Sequence, residues 1–539
     1  MLPAVRLYWF ITLICAPLSL AALLLSTSGS VTWDSVSGYP LQLFLVIVFF
    51  AYAALGFYEL NFARSNLRRN YPVLANLRYM LEVIRPEIQQ YFIANNTEER
   101  PFSREQRNLV YRRAKGLNDT LPFGTEHDIL SDGYHSIFHS IRAVHVPEEF
   151  ARILIGGPQC RKPYNASRFN ISGLSFGALS STAIAALNRG AALGGFFHNT
   201  GEGSISKYHM AHGGDLVWQI GTGYFGCRTI DGQFDDAAFA MRASHHKVKM
   251  IEIKISQGAK PSHGGVLPGA KVTAEIARIR TVEVGKTVES PACHTQFSTP
   301  LELMAFITKL RNLCDGKPVG FKFCLGKKSE FLGIVKAMLE TGVVPDFITV
   351  DGAEGGTGAA PVEFSNRLGT PCLEATYYVH QVLKGAGLRE QIRIISAGKT
   401  ATGFELLEKI AVGADAVNAA RSMMLALGCI QSKSCNTNNC PTGIATQNPA
   451  RARAVGLEDK SLRVYNFHRA TVKVFLELCG AMGYSDPDQL HPGDIFIRVN
   501  GKLRTFDQQY VPLNEGQLLG DDIPDYYSTD WNKASAAAF

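Results

Sequence analysis

The sequence predicts an α/β protein that consists of a (β/α)8 barrel preceded by two membrane-spanning helices. Two long apolar runs near the N-terminus indicate the spans. Eight short β-rich runs, most of them ending in a glycine-containing loop, then alternate with helical periodicity over about 260 residues, the size of such a barrel. A chain of 539 residues has room for the barrel, a hairpin of helices and connecting segments.

Composition excludes several classes of protein. Hydrophobic residues make up 46% of the chain and charged residues 19%, which excludes a disordered, collagen-like or coiled-coil chain. The net charge is +7, but we find no basic patch with interleaved aromatic residues, so nucleic-acid binding is not expected. The eleven cysteines lack the spacing of a secreted disulfide framework and are expected to be reduced thiols.

The N-terminal apolar runs, residues 7–25 and 41–58, carry no charged residue. At 1.5 Å rise per residue they span about 27 to 29 Å, close to the ~30 Å hydrocarbon core of a bilayer. Arg6 precedes the first run and arginines from Arg64 onward follow the second, whereas the loop between them carries only Asp34. By the positive-inside rule we predict a hairpin over residues 1–60 with both ends in the cytoplasm.

A cleavable signal peptide is the alternative for the first run, because Ser26, Ser28 and Ser30 follow it. Residues 61–165 are then predicted to form a helical, basic connector. Its arginines are expected to form a solvated face, with contact to anionic lipid headgroups as the alternative. The arginines in question are Arg104, Arg107, Arg112 and Arg113.

The barrel is predicted over residues 166–480, followed by a C-terminal extension over 481–539. A doubly wound sheet would usually have fewer strands. The predicted strands are residues 169–174, 195–198, 216–220, 250–255, 319–324, 347–350, 392–395 and 416–420. Because barrels place their chemistry on the loops after the carboxyl ends of strands, we expect the active site on the glycine-containing loops.

Three cysteines, Cys429, Cys435 and Cys440, lie within twelve residues of one loop, and Pro441 follows the last. Zinc sites prefer two to four residues between paired ligands and usually four ligands, which this spacing does not provide. Iron-sulfur clusters are held by cysteine thiolates, so we predict a cluster with three protein ligands. Three unrelated buried thiols are the alternative.

Glycine-rich loops after the later strands predict a phosphate site, because loops after strands seven and eight of such barrels commonly bind phosphate through backbone N–H groups. An ordinary turn is the alternative for each loop alone. The predicted cofactor-binding residues of these loops are Asp351, Gly355, Gly356, Gly358, Gly398, Lys399 and Arg421.

Lys322 is a charge inside an apolar strand and needs an anionic partner. In a flavin barrel that partner is the N1/O2 edge of the ring system, which gains negative charge on reduction. A buried carboxylate is the alternative.

Together these motifs resemble the synthase domain of glutamate synthases, over residues 168 to about 450. The resemblance is carried by five ordered segments: residues 172–180 (SGLSFGALS), 199–203 (NTGEG), 257–269 (QGAKPSHGGVLPG), 351–358 (DGAEGGTG), and the cysteine run with 441–447 (PTGIATQ). The layout with an N-terminal hairpin is similar to membrane-anchored, stand-alone bacterial members of that family.

The resemblance implies an FMN barrel beside a 3Fe-4S cluster on the three cysteines, in an enzyme on the cytoplasmic face of the bacterial inner membrane. It implies that FMN contacts Ser175 and Gly177 and that Lys260, Glu202 and Arg280 are catalytic. The implied reaction reduces the 2-imino acid formed from 2-oxoglutarate and ammonia to glutamate. An electron donor protein and membrane lipid are the implied partners.

Departures from the family bear on the reaction. The family loop reads approximately KPGEGGQLPG, whereas this chain has Ser262, His263 and Val266 in it, with Val266 in place of the substrate-contacting glutamine. His263 is a candidate replacement. We expect no glutaminase nucleophile, since Cys15 lies inside an apolar span, and no fused electron-donor subunit. Another 2-oxo acid or amine, or a flavoprotein that relays or senses electrons, therefore stays open.

The histidines are expected to be satisfied loop or core residues and not metal ligands. They are His209, His212, His245, His246 and His294.

Overall fold

The computed structural model describes residues 3–26 and 40–539. The chain forms two compact units, residues 1–100 and residues 101–539. The predicted loop around Asp34 lies outside the described residues. The predicted connector over 61–165 belongs partly to each unit, and the predicted domain boundaries stay predictions.

The N-terminal unit contains two long apolar helices. The first runs through Pro3–Phe10, Ile11–Cys15 and Ala16–Ser26, and the second is Pro40–Phe62. Within them, Pro3–Leu24 and Leu43–Phe62 are long and apolar enough to cross a membrane. The helices pack closely because Gly56 lacks a side chain: a Cβ there would lie 2.0 Å from Cε2 of Tyr8, whose hydroxyl donates to the Ala53 carbonyl at 2.7 Å. Three helical segments follow, Asn66–Asn70, Leu74–Ile88 and Gln89–Ile93.

The second unit is built around eight parallel strands that close into a barrel in chain order. They are β1 (Phe169–Ile171), β2 (His198–Asn199), β3 (Leu216–Ile220), β4 (Val248–Lys254), β5 (Val319–Phe323), β6 (Phe347–Asp351), β7 (Arg393–Ala397) and β8 (Ala416–Ala419). Pairing of β8 with β1, Val417 opposite Phe169, closes the ring. The predicted (β/α)8 barrel is confirmed, and each predicted strand overlaps one of the eight, although the predicted strand 195–198 shares only His198 with β2.

Helices surround the barrel, and all of those named next except Val362–Arg367 contain buried residues. They are Ser181–Gly194, Lys207–Met210, Asp236–Ala243, Ala274–Arg280, Pro300–Leu313, Lys328–Thr341, Val362–Arg367, Cys372–Gly385, Gly403–Ala411 and Arg421–Leu427. After the barrel come Pro449–Ala452, Leu457–Ala481 and Asp525–Lys533. Ser180 caps the first of the barrel helices by accepting from Ala183 N–H, and Gly195 ends it with a positive φ.

Helix Leu457–Ala481 packs against Ser181–Gly194 and against Arg104–Ala114, which precedes the barrel. The prediction of a solvated basic face on Arg104–Ala114 is correct for Arg104 and Arg112 and wrong for Arg107 and Arg113, which are buried. Arg113 Nε donates to Asp119 at 2.7 Å. Helix packing explains the difference, since burial of a helix face includes the stems of its arginines.

Short antiparallel sheets complete the second unit. Arg152–Ile155 pairs with Tyr164–Ser167, and Val266–Leu267 pairs with Val288–Glu289. The hairpin Phe496–Val499 and Lys502–Thr505 is extended by His135–Ser136. The predicted C-terminal extension and part of the predicted connector therefore share one sheet.

Candidate active site

A cavity of about 420 Å³ opens at the carboxyl end of the barrel. Its walls are the loops that follow β1, β2, β3, β4, β6 and β8. A second cavity of about 50 Å³ shares wall residues with it, among them Phe102, Gln257 and Arg421, and reaches β5 and the loop after β7. The active face therefore lies where the glycine-containing loops predicted it, and its volume suits an organic cofactor.

Lys322 and Asp351 form an ion pair in the wall of the smaller cavity. Lys322 Nζ lies 3.2 Å from Asp351 Oδ2, which also accepts from Gly258 N–H at 3.0 Å. Burial acts to lower the pKa of Lys322, but Asp351 first and Glu252 second outweigh it, so the pKa is raised and the lysine is charged. The carboxylate partner that the sequence left open is present, and the ammonium still faces the cavity.

Three buried polar atoms face the smaller cavity without a hydrogen-bond partner among the described residues: Thr400 Oγ1, Asn418 Oδ1 and Ser422 Oγ. Each side chain is about 1% exposed. A buried polar group without a partner costs free energy, so these atoms indicate a polar ligand. Sequence reasoning missed all three, although Ser422 directly follows the predicted Arg421.

Glycines bring the backbone up to the same cavity. A Cβ at Gly356 would lie 2.7 Å from Cδ of Arg421, and one at Gly398 would lie 3.1 Å from Cys372 Sγ. Arg421 donates to the Glu354 carbonyl at 2.5 Å, and its guanidinium carbon lies 5.3 Å from the centre of the Phe102 ring. Gly355 lines the smaller cavity and Gly358 the larger one. The Lys399 ammonium lies 5.5 Å from the centre of the same Phe102 ring, outside both walls.

Glu202 occupies the larger cavity beside a lysine that sequence reasoning missed. Lys254 Nζ, at the end of β4, lies 2.9 Å from Glu202 Oε2. Burial acts to raise the pKa of Glu202, but the neighbouring cations, Lys254 first, outweigh burial and lower it. Gly221 and Gly265 make room for this carboxylate, because a Cβ at either would lie within 3 Å of the Glu202 side chain. Glu202 is therefore anionic at neutral pH.

Lys260 and Arg280 add two buried cations to the same wall. Lys260 Nζ donates to the Gly264 carbonyl at 2.8 Å, and burial lowers its pKa to about 8. Arg280 Nη2 donates to the Phe176 carbonyl at 3.0 Å, and burial lowers its pKa to about 10. Arg280 Nε has no hydrogen-bond partner among the described residues. The cations outnumber Glu202, so this wall suits an anionic ligand.

Ser175 and Gly177 lie on the loop after β1. Ser175 lines the larger cavity. Gly177 has a φ of +108°, and a Cβ there would lie 2.9 Å from Arg280 Nη2. Gly177 does not line either cavity. Because it has no side chain, it leaves the space that the Arg280 guanidinium occupies.

A hydrogen-bond network inside the barrel, also missed from the sequence, supports the floor of the cavities. Glu252 Oε1 accepts from Asn199 Nδ2 at 2.8 Å and from Gln219 Nε2 at 2.6 Å, and its Oε2 accepts from Thr349 at 2.7 Å. Gln219 lines both cavities. The only available signal was a carboxylate inside an apolar strand.

The three cysteines lie on the loop after helix Arg421–Leu427. Cys429 and Cys435 line the larger cavity and Cys440 is buried behind them. Gln431, Lys433 and Asn438 have positive φ, so the loop is tightly folded. Among the described residues, no group of three His, Cys, Asp or Glu side chains is arranged around a single metal ion. No disulfide joins any of the eleven cysteines, all of which lie in the described residues.

Lys271 is a further buried cation beside this loop. Its Nζ donates to the Ala178 carbonyl at 2.9 Å, and Asn438 Nδ2 donates to the neighbouring Ala270 carbonyl at 3.0 Å. Gln447 Nε2 donates to the Gly177 and Leu179 carbonyls. The cysteine loop is thus fixed to the loops after β1 and β4.

Val266 and His263 occupy different positions relative to the cavity. Val266 lines it. His263 is not among its wall residues, and its Nδ1 lies 3.0 Å from the Gly264 carbonyl. The histidines expected to be satisfied include His209, which bonds Ser206, and His294, which bonds Tyr224 and the Lys254 carbonyl.

Comparison with known proteins identifies the family. The family described as a conserved region in glutamate synthase matches residues 142–485. The glutamate synthase large subunit-like protein YerD of Bacillus subtilis is 37% identical over 462 residues, which are 78% of this chain and 88% of YerD. The chain belongs to the glutamate synthase family and is a glutamate-synthase-like oxidoreductase.

Other relatives match over a smaller part of their length. The archaeal-type glutamate synthase [NADPH] of Thermotoga neapolitana is 34% identical over 318 residues, 59% of each chain. The ferredoxin-dependent chloroplastic glutamate synthase of Spinacia oleracea is 33% identical over 271 residues, 49% of this chain and 16% of that protein.

Among solved structures, mandelate oxidase with (S)-4-hydroxymandelic acid aligns with a TM-score of 0.43 and 16% identity, over 79% of this chain and 99% of the oxidase. A mutant flavocytochrome b2 with pyruvate bound aligns with a TM-score of 0.40 and 11% identity, over 84% and 93%.

Proposed function

We propose that the chain is an FMN- and 3Fe-4S-dependent enzyme that reduces the 2-imino acid formed from 2-oxoglutarate and ammonia to glutamate. The observation that carries this proposal is the buried set of cations around Glu202 at the larger cavity, next to a smaller cavity in which three buried polar atoms lack a hydrogen-bond partner among the described residues. The first suits a dicarboxylate, and the second suits a phosphorylated cofactor.

The residues of the smaller cavity fit FMN. Thr400 and Ser422 offer hydroxyl donors, Arg421 offers a guanidinium, and the glycine loops allow backbone N–H groups to approach a phosphate. Lys322 would hold the N1/O2 edge. When bound, FMN supplies the hydride donor of the reaction.

In the larger cavity, Lys260 and Arg280 bind and orient the substrate carboxylates, and Lys254, which is not a wall residue, pairs with Glu202. Condensation of 2-oxoglutarate with ammonia releases water, and two electrons and two protons then convert the C=N bond into the amine of glutamate. Anionic Glu202 accepts a hydrogen bond from the imine nitrogen and favours its protonated form, which is the better hydride acceptor. Closure of the site by the cysteine loop and the loop after β4 limits access of water.

The three thiols support a 3Fe-4S cluster, because they lie on one tightly folded loop beside the cavity. In a cluster each iron takes one thiolate, so the ligands need not converge on one ion. Lys271 is a buried cation that would face the negative charge of such a cluster. An electron donor protein is proposed to reduce the enzyme.

Membrane anchoring is part of the proposal: the two apolar helices cross the bacterial inner membrane and the barrel faces the cytoplasm. The support is the apolar surface of both helices and the arginines that flank the pair. A periplasm-active reporter fused after residue 100 should be inactive, and a cytoplasm-active reporter at the same point should be active. The reverse result would refute the orientation.

The test of the reaction starts from anaerobic, pre-reduced holoenzyme. 2-Oxoglutarate with ammonia should reoxidise the flavin and yield one glutamate per flavin, identified by mass spectrometry. The Lys260→Met variant should retain flavin and be reoxidised far more slowly. Turnover with neither this mixture nor any other 2-oxo acid and amine would leave only an electron-relaying flavoprotein.

A second candidate is the same chemistry on another 2-oxo acid, or on an amine larger than ammonia. Val266 in the cavity wall favours it, because valine offers no hydrogen bond where the family has glutamine. Faster flavin reoxidation by methylamine with 2-oxoglutarate, or by a different 2-oxo acid with ammonia, would select this candidate.

A further inference from the structure

Helix Leu74–Ile88 in the N-terminal unit carries an apolar stripe that none of the described residues of that unit covers. The side chains recur at the three- and four-residue spacing that places them on one helix face. The stripe consists of Leu74, Leu77, Leu81, Ile84 and Ile88. All five side chains are between 36% and 54% exposed. Phe92, in the following turn, is 85% exposed.

Two arginines lie along one edge of this stripe. At 100° per residue, Arg78 and Arg85 stand seven residues apart and so share a helix edge. Arg78 also pairs with Glu82 at 3.1 Å, farther round the helix, and both side chains are more than half exposed. An apolar stripe bordered by arginines is the pattern of a helix that lies in the interface of an anionic membrane.

The helix is held directly to the end of the second candidate span. Glu59, buried within that span, accepts from Val73 N–H and from Asn76 Nδ2, both at 2.6 Å. On the face away from the stripe, the Tyr79 hydroxyl bonds Ser65 Oγ at 3.0 Å. These contacts fix the start of the helix within a few residues of the point where a span leaves the hydrocarbon.

We infer that helix Leu74–Ile88 is an interfacial helix whose stripe lies against the acyl chains and whose Arg78 and Arg85 bind anionic phospholipid headgroups. The inference rests on the proposed membrane anchoring and adds a second, monotopic contact to it. The inferred contact assigns a lipid partner to the polar segment that follows the second candidate span. A second copy of the chain is the competing occupant of the stripe.

The test uses the full-length holoprotein in vesicles of phosphatidylglycerol and phosphatidylethanolamine. A photocrosslinking benzoylphenylalanine is placed separately at Leu81 in the stripe, at Glu82 on the polar side and at Leu45 in the second span. After irradiation, the mass of each adduct is measured. We expect lipid adducts at Leu45 and Leu81, and at least about fivefold less at Glu82.

The outcomes separate the two levels of the proposal. If Leu45 forms lipid adducts but the yield at Leu81 is no higher than the yield at Glu82, the interfacial helix alone would be overturned. Absence of lipid adducts at Leu45 as well would overturn the anchoring. Adducts at Leu81 with a second protein chain would assign the stripe to self-association and overturn the inference.

The arginines are tested in the same assay. Replacement of both Arg78 and Arg85 by glutamine should lower the lipid adduct at Leu81 in phosphatidylglycerol vesicles and leave it unchanged in phosphatidylcholine vesicles. Arg112→Gln, an exposed arginine of the other unit, is the matched control. An equal yield from the double variant and the control in phosphatidylglycerol would refute headgroup binding.

Discussion

Lys254 Nζ lies 2.9 Å from Glu202 Oε2, and this ion pair joins the end of β4 to the loop after β2, whose Glu202 lines the larger cavity. The lysine keeps Glu202 anionic where burial alone would favour the neutral acid. It is also a third cation beside Lys260 and Arg280. The pair therefore sets the charge of the proposed imine contact.

Replacement of Lys254 by methionine should raise the pKa of Glu202, because burial then acts with less opposition. The Glu202 carboxylate loses its charge as pH falls through its pKa. Since that pKa is higher in the variant, the acid limb of kcat/KM should move to higher pH. We expect the pH profile of pre-reduced enzyme to show this shift. Lys249→Met is the matched control, since Lys249 on the same strand pairs with Asp215 outside the site. An unchanged acid limb would contradict the role of Lys254.

The charge of Lys260 should limit activity at high pH. Its pKa of about 8 in the folded protein lies below the ordinary 10.5, so the ammonium is lost as pH rises through about 8. The kcat/KM for 2-oxoglutarate should fall above that pH, because kcat/KM reports the free enzyme. Folding stability changes in the opposite sense, since the unfolded state binds more protons between about 8 and 10.5. The Lys260→Arg variant should still bind 2-oxoglutarate above pH 8, because arginine stays charged. An equal decline of kcat/KM in that variant would contradict the role given to the Lys260 charge.

Flavin retention should depend on the hydroxyls of Thr400 and Ser422 in the smaller cavity, which have no hydrogen-bond partner in the described part of the chain. Thr400→Val and Ser422→Ala each remove a donor to a charged phosphate, a bond worth about 1.5 to 3 kcal/mol. Each should weaken FMN binding by roughly 10- to 150-fold, measured by flavin content after dialysis and by titration of the apoprotein. Thr308→Val, whose hydroxyl bonds a helix carbonyl away from the site, is the control. Flavin content equal to that control would place the phosphate elsewhere.

Cluster binding should be lost in Cys435→Ser, because one iron loses its thiolate. Iron content and the paramagnetic signal of the oxidised protein are the measurements. Cys293→Ser, an exposed cysteine outside the loop, should leave both unchanged. A Cys435→Ser protein with full iron content and an unaltered signal would refute a three-cysteine cluster.

Val266→Gln tests which substrate the cavity serves. If the substrates are 2-oxoglutarate and ammonia, the added amide should gain about 0.5 to 1.5 kcal/mol, or roughly 2- to 12-fold in kcat/KM. Val266→Met, similar in length and without an amide, separates the hydrogen bond from a volume effect. A lower kcat/KM in both variants would favour a bulkier amine or acid.

The sequence by itself determined the barrel, because hydrophobic periodicity and the glycines of the loops are visible within short stretches of the chain. Strands such as Leu216–Ile220 and Val319–Phe323 are mainly apolar runs, each with one polar residue, and they are buried along their whole length, as expected for a sheet covered on both faces. The loops after them are recognisable by glycine and polar residues, which named Arg421 as a site residue, whereas Glu202 and Lys260 were named through the resemblance to the glutamate synthase family. Their presence in the cavity walls follows from the rule that parallel strands of a barrel end on one face.

Only the tertiary structure decided which side chains meet. In the sequence, Lys254 and Glu252 are charged residues within a strand. Only the closed barrel pairs Lys254 with Glu202. It also brings Glu252 into hydrogen bonds with Asn199, Gln219 and Thr349. The same holds for Arg107 and Arg113, which packing buries. Contacts between residues far apart in the chain depend on barrel closure and helix packing, which residue order does not encode locally. The sequence therefore determined the strands and the loops, and the fold decided the charges and partners of the site.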